Sequence, residues 1–146
     1  TFEENIKFRE RQNLVCAYSV ANHITPNVAA AGVLFVVEMN NTTNQIEGIG
    51  LIRNRIHPLR HKVYGENNFN RFFYVGNYRL DREYLNQENP EMVSTLENLL
   101  FKGKSHYKRG QGMTTLTEKM LRKVEIDFHV EFKNMFWKKY KKAEII

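Results

Sequence analysis

Two apolar runs separated by a polar turn set the tightest limit on how this chain folds. Residues 33–39 (VLFVVEM) are rich in β-branched side chains and too few to prefer a helix. Residues 40–44 (NNTTN) carry turn chemistry, and residues 46–52 (IEGIGLI) resume the apolar pattern. The arrangement predicts a β-hairpin. In its second strand Ile46, Gly48, Gly50 and Ile52 share one face, and Glu47, Ile49 and Leu51 share the other. The glycines leave room for a bulge, or for the close approach of another backbone or a ligand.

Other segments follow from the same reasoning. Residues 14–20 (LVCAYSV) read as a strand and residues 22–27, with Pro26, as a loop. Residues 53–70 are polar and basic, with Pro58 and Gly65, and read as a long loop of the kind that often carries function. Residues 71–80 (RFFYVGNYRL) predict a third core strand. A helix follows: Asn89 caps it, Pro90 suits its first position, and Val93, Leu96, Leu99 and Leu100 form one stripe before Gly103. Residues 104–112 (KSHYKRGQG) form a basic, glycine-bounded loop. Thr115 with Glu118 predicts a capping box and a short helix. The alternation of Val124, Ile126, Phe128, Val130 and Phe132 with Glu125, Asp127, His129 and Glu131 predicts a half-exposed strand. The order of elements predicts one α+β domain over residues 1–146, built as a small, mostly antiparallel β-barrel or curved sheet with two to four helices, ending in a basic tail over 133–146.

The chain has 146 residues, 42% of them hydrophobic, which suffices for one core. It opens on Thr1, not Met, and reads as trimmed or processed. No run of about 18 apolar residues is present, so no membrane partner is expected. The lone Cys16 excludes an internal disulfide and zinc ribbons, and it reads as an inert core thiol in a reducing, intracellular compartment, cytoplasm or nucleus. His57 and His61 are four apart, but Pro58 lies between them and no third ligand is evident, so no metal or other cofactor is expected. Asp127, Glu131 and Lys133 echo a nuclease metal site, but the same carboxylates make an ordinary solvated face. No nucleotide-loop, hydrolase-elbow or zinc-protease motif occurs, and the pattern favours a non-catalytic module.

Charge is distributed unevenly. The net charge is +6, but residues 53–82 hold seven Lys/Arg against two Asp/Glu and residues 102–123 hold seven against one. The last five cations all lie between Lys133 and Lys142. Three basic stretches thus alternate with acidic or neutral ones, and if folding brings them together they form one anion-attracting face. Aromatics are interleaved with these cations, a mixture suited to stacking bases while neutralising phosphates. The expected working parts are Arg53, Arg55, Arg60 and Lys62 on the long loop and Lys104, Lys108 and Arg109 on the glycine-bounded loop, all on phosphate. Tyr107 and Tyr74 are the expected stacking platforms. The glycine-bounded loop also precedes a helix start, so its backbone amides are expected to join the phosphate site. The mixed tail, with Trp137 and Tyr140, is the expected surface for a protein partner or a second copy.

The hairpin over residues 33–39 and 46–53 resembles the PUA-like superfamily, of the EVE, ASCH and YTH kind. That resemblance covers about a third of the chain and implies a small barrel that binds RNA, or a modified base, between barrel and helices. The aromatic cage of EVE and YTH relatives has no counterpart here, and Trp137 lies outside the matched stretch, so no cage residue is carried over. The Asn- and Lys-rich style resembles proteins of large DNA viruses, which would add the virion as a location. The combined expectation is a nucleic-acid-binding module that recognises RNA, or a modified or single-stranded base, through basic loops and aromatic stacking. The alternatives are a structural or virion protein docking an acidic partner, and a metal-dependent nuclease.

Overall fold

The computed structural model describes residues 2–20, 24, 32–56, 72–110 and 112–141. These residues form an α+β fold, the class expected. Its elements in order are α1 (Phe2–Gln12), β1 (Cys16–Val20), β2 (Val33–Asn40), β3 (Gln45–Arg53), β4 (Phe72–Gly76), β5 (Tyr78–Asp81), α2 (Arg82–Glu88), α3 (Pro90–Phe101), α4 (Glu118–Leu121) and α5 (Phe128–Tyr140). The strands make a two-stranded sheet, β1-β4, and a three-stranded sheet in the order β2-β3-β5. Among the described residues the strands do not close into a barrel, and the helices number five, not two to four. Residue contacts divide the chain into one unit of Thr1–Val36 with Gly50–Arg79 and another of Val37–Ile49 with Leu80–Ile146.

The first unit is built on β1, whose five residues are all buried. It pairs antiparallel with β4, with Cys16 opposite Gly76, Tyr18 opposite Tyr74 and Val20 opposite Phe72. Helix α1 covers this pair. The Phe8 ring meets Phe73 edge-on at 5.7 Å, both beside Ala17. Burying one such ring contributes about 1.5–3 kcal/mol. Asn5 is buried as well, and its Nδ2 donates to the Ala17 carbonyl at 2.7 Å, which satisfies an amide that would be costly to bury unpaired. The chain leaves α1 through Asn13 in the left-handed region (φ 55°), a conformation Asn tolerates.

The stretch 71–80 is not one strand. It breaks at Asn77, and its halves enter different sheets as β4 and β5. Gly76, the last residue of β4, lets another backbone approach closely: a Cβ on it would collide with the Leu51 carbonyl oxygen and lie 2.8 Å from the Cys16 Sγ. Gly50 also has a close neighbour, the phenol of Tyr18, so the open space that the glycines of β3 suggest is filled from within the chain at this position.

The second unit holds the polar turn and the helices. Asn40 Oδ1 accepts from the Thr42 and Thr43 amides, and Asn44 is left-handed (φ 56°), so the NNTTN turn forms as its residues predict. Helix α3 also follows expectation. Asn89 Oδ1 accepts from the Met92 amide at 3.1 Å, Pro90 opens the first turn, and Met92, Val93, Leu96, Leu99, Leu100 and Phe101 are buried. Gly103 follows its end at φ 80°. The short helix α4 is capped by Thr117, whose Oγ1 accepts from Met120, not by Thr115.

The alternation at 124–132 is overturned: residues from Phe128 onward are helical. Phe128, Phe132, Met135 and Phe136 are its buried residues, and spacings of four and three put them on one helical face. Phe128 and Phe132 fit period two and period 3.6 equally well, and local order is decided by Asp127, whose Oδ1 accepts from the Val130 amide as the N-cap. Among the described residues no helix is long and apolar enough to cross a membrane.

Candidate functional site

The second unit contains a depression of about 370 Å³ where the end of α3 meets the following turn and the end of α4. Leu99 and Met120 supply its apolar lining, and three ammonium groups, Lys102, Lys104 and Lys123, stand around it with Asn98 and Ser105. The left-handed Gly103 is what lets the chain turn back so that Lys102 and Lys104 line the same hollow. Among the described residues none of the three lysines forms an ion pair with a carboxylate, whereas Arg82, Arg122 and Lys138 do. Unpaired cations over an apolar floor attract an anion that also carries an apolar or aromatic part. The lysines also offset the negative carbonyl end of α3, so an anion here meets side-chain charge and not a favourable helix pole.

The loop that continues from this depression is held in one conformation. The Tyr107 amide donates to the Leu100 carbonyl at 2.7 Å, and the Gly110 amide donates back to the Tyr107 carbonyl at 3.1 Å. The Tyr107 hydroxyl accepts from the Thr117 amide at 3.3 Å. The Lys108 carbonyl accepts from Asn41 Nδ2, which ties the loop to the β2–β3 turn, and His106 Nδ1 accepts from the Lys108 amide. A loop held by five hydrogen bonds presents its cations with less ordering entropy to lose on binding.

The expected site residues fare differently. Lys104, Tyr107, Lys108 and Arg109 lie together on this loop, Lys104 and Arg109 exposed and the other two half-buried. Arg53, at the end of β3, and Arg55 are exposed in the first unit. Arg60 and Lys62 lie outside the described residues. Tyr74 corrects the expectation: it is 1% exposed, with its hydroxyl accepting from the Ile24 amide, so its ring faces are packed inside the first unit and offer no platform for a base. The backbone-amide cradle is corrected too, because residues 113–117 separate the loop from α4, which is a single turn.

Two members of the depression, Lys102 and Lys123, had no local signal beyond their charge. They stand 21 positions apart in sequence, and only the packing of α4 beside the end of α3 makes them neighbours. The two carboxylates of the nuclease reading have structural partners. Asp127 is committed to capping α5, Glu131 Oε2 accepts from Asn89 Nδ2 at 3.3 Å, and among the described residues no cluster of three or more His, Cys, Asp or Glu has the spacing to hold a metal. Set against known protein families, curated proteins and solved structures, the chain matches none of them.

Proposed function

We propose that this chain is a non-catalytic nucleic-acid-binding module that grips the phosphates of a single strand with Lys102, Lys104 and Lys123, extended by Lys108 and Arg109. The observation that carries the reading is a hollow lined by three lysines, none of which forms an ion pair with a carboxylate among the described residues, whereas Arg82, Arg122 and Lys138 do. The anchored loop and the half-exposed Tyr107 ring beside it support a ligand with both phosphates and flat bases. The PUA-like look of the β2–β3 hairpin suggests the same class of partner.

The test is a titration of fluorescent oligothymidylate and oligouridylate over a salt series, read by anisotropy. The three lysines, each neutralising one phosphate on a single strand, contribute about −2 to the log–log salt slope. Replacing Lys102, Lys104 and Lys123 together by Gln should flatten the measured slope by about 2 and weaken binding at every sequence tested. Binding that is absent, or that ignores salt, ends the proposal. A complex with an acidic protein that survives nuclease treatment would instead support a structural role.

A further inference from the structure

Helix α5 buries Phe128, Phe132, Met135 and Phe136, so its opposite side should be polar. It is not. Val130 and Trp137 are each 47% exposed, seven positions apart and therefore on one stripe of the helix. Lys133 and Asn134 occupy the intervening places on that stripe, and Lys141 follows just past the helix end in the left-handed region (φ 53°); all three are exposed. The exposed indole offers a large flat apolar surface whose coverage by a flat ligand would be favourable.

The cations of this helix fall into two groups. Lys138 is committed to Glu88, with Nζ donating to the carboxylate at 2.6 Å. Lys139 lies over the rings of Tyr84 and Tyr140, at 5.3 and 5.4 Å from their centroids. Lys133 and Lys141, in contrast, form no ion pair with a carboxylate among the described residues. Lys133 sits one turn before Trp137, about 6 Å along the helix axis, and Lys141 follows four residues after it at the helix end, its amide donating to the Trp137 carbonyl at 2.7 Å. One flat aromatic surface is thus bracketed by two uncommitted positive charges.

We infer that the outer face of α5 is a base-stacking platform for single-stranded nucleic acid, with Trp137 under a base and Lys133 and Lys141 on the flanking phosphates. The inference rests on the proposed nucleic-acid reading and adds to it a second contact surface, on a different element from the lysine-rim depression. Charge decides the occupant. A purely apolar partner would leave two ammonium groups desolvated and unpaired at its edge, whereas a polyanion of flat bases satisfies both features at once. Val130 extends the apolar strip by two turns and gives a neighbouring base a surface without specificity. The platform implies sequence tolerance, because every base has a face to stack and the helix presents few groups to read an edge.

Trp137 is the sole tryptophan in the sequence, so its emission reports on this face alone. The experiment titrates the whole chain with unlabelled oligothymidylate while following tryptophan emission, and repeats it with inorganic polyphosphate and with an abasic oligomer. Anisotropy of a labelled oligomer measures binding in parallel. The expected result is saturable quenching by oligothymidylate and none by either base-free polyanion. Trp137→Ala should weaken binding about 10-fold and Trp137→Phe should recover most of it, with unchanged far-ultraviolet circular dichroism in both. Lys133→Ala and Lys141→Ala should each flatten the salt slope by about 0.7.

Binding by anisotropy with unchanged emission overturns the platform and leaves the nucleic-acid reading standing. Equal quenching by polyphosphate overturns it as well, since no base is then involved. A blue shift that grows with protein concentration, without nucleic acid, assigns the face to a second copy of the chain. No binding of any oligomer removes both the platform and the reading on which it rests.

Discussion

Arg82 and Glu97 hold both backbone groups of one residue between them. The Arg82 Nη1 lies 2.8 Å from the Glu97 Oε2 and donates to the Ile46 carbonyl at 2.7 Å, while the same Glu97 oxygen accepts from the Ile46 amide at 2.8 Å. The start of β3, the start of α2 and the middle of α3 are thereby joined through three charge-assisted contacts. Their side chains are 27% and 19% exposed, so the pair lies between the regimes of a screened surface pair and a fully buried one. Arg82→Ala is expected to cost about 2 kcal/mol, and Glu97→Gln, which keeps an oxygen for the amide, about 1 kcal/mol. Urea unfolding midpoints check both. A loss below about 0.5 kcal/mol for Arg82→Ala would show that the clamp contributes nothing beyond a surface pair.

Gly76 should be intolerant of any side chain. A Cβ there meets the Leu51 carbonyl oxygen, which is backbone and cannot swing aside, together with the buried Cys16 Sγ. Gly76→Ala is therefore expected to destabilise by about 2–3 kcal/mol, the range of an overpacked core. At Gly103, where nothing lies within 4 Å of a Cβ, the cost of Gly103→Ala comes from the positive φ alone and should be about 1 kcal/mol. Thermal unfolding of the two variants separates crowding from backbone strain. Equal losses would contradict the assignment.

Alkaline pH should loosen the α2–α5 contact. Burial, followed by the Glu88 charge, raises the Tyr84 pKa above its ordinary 10.0, and its hydroxyl donates to the Met135 carbonyl. The hydrogen bond to Glu88 and then its charge raise Lys138 above 10.5. Both groups hold their proton in the fold at pH values where the unfolded chain loses it, so both favour the folded state below about pH 10 and lose that contribution as pH rises further. Denaturant midpoints at about pH 9 and about pH 11 should fall in the parent, and the fall should be smaller in Tyr84→Phe. An identical fall in that variant would exclude Tyr84 from the effect.

The fold was legible where local chemistry and tertiary packing agree. The β2–β3 hairpin, its Asn-rich turn, and α3 with its Asn89 cap, Pro90 and closing Gly103 all follow from residues adjacent in sequence. The residues over 124–132 were misleading because Phe128 and Phe132 satisfy both periods. Val130 separates the two cases: a strand would bury it beside them, and the helix leaves it 47% exposed. Helix α1 was missed because FEENIKFRERQ is polar nearly throughout, and it stays helical through the packing of Phe8 on Phe73 and the buried Asn5 bond. Part of the candidate site was legible. The loop carrying Lys104, Tyr107, Lys108 and Arg109 announces itself by charge and bounding glycines, whereas Lys123 joins the depression from a different helix.

By itself the sequence determined an α+β chain with an excess of positive charge concentrated in three stretches, because composition, turn residues and caps act over a few bonds. Tertiary structure alone decided that residues 71–80 divide between two sheets, that Tyr74 is core, and that Trp137 lies outside. Burial depends on which distant surface arrives opposite a residue. The close approach of the Leu51 backbone to Gly76, and the burial of Phe128 and Phe132 on a helix that leaves Val130 outside, are choices made by packing free energy summed over contacts far apart in the chain.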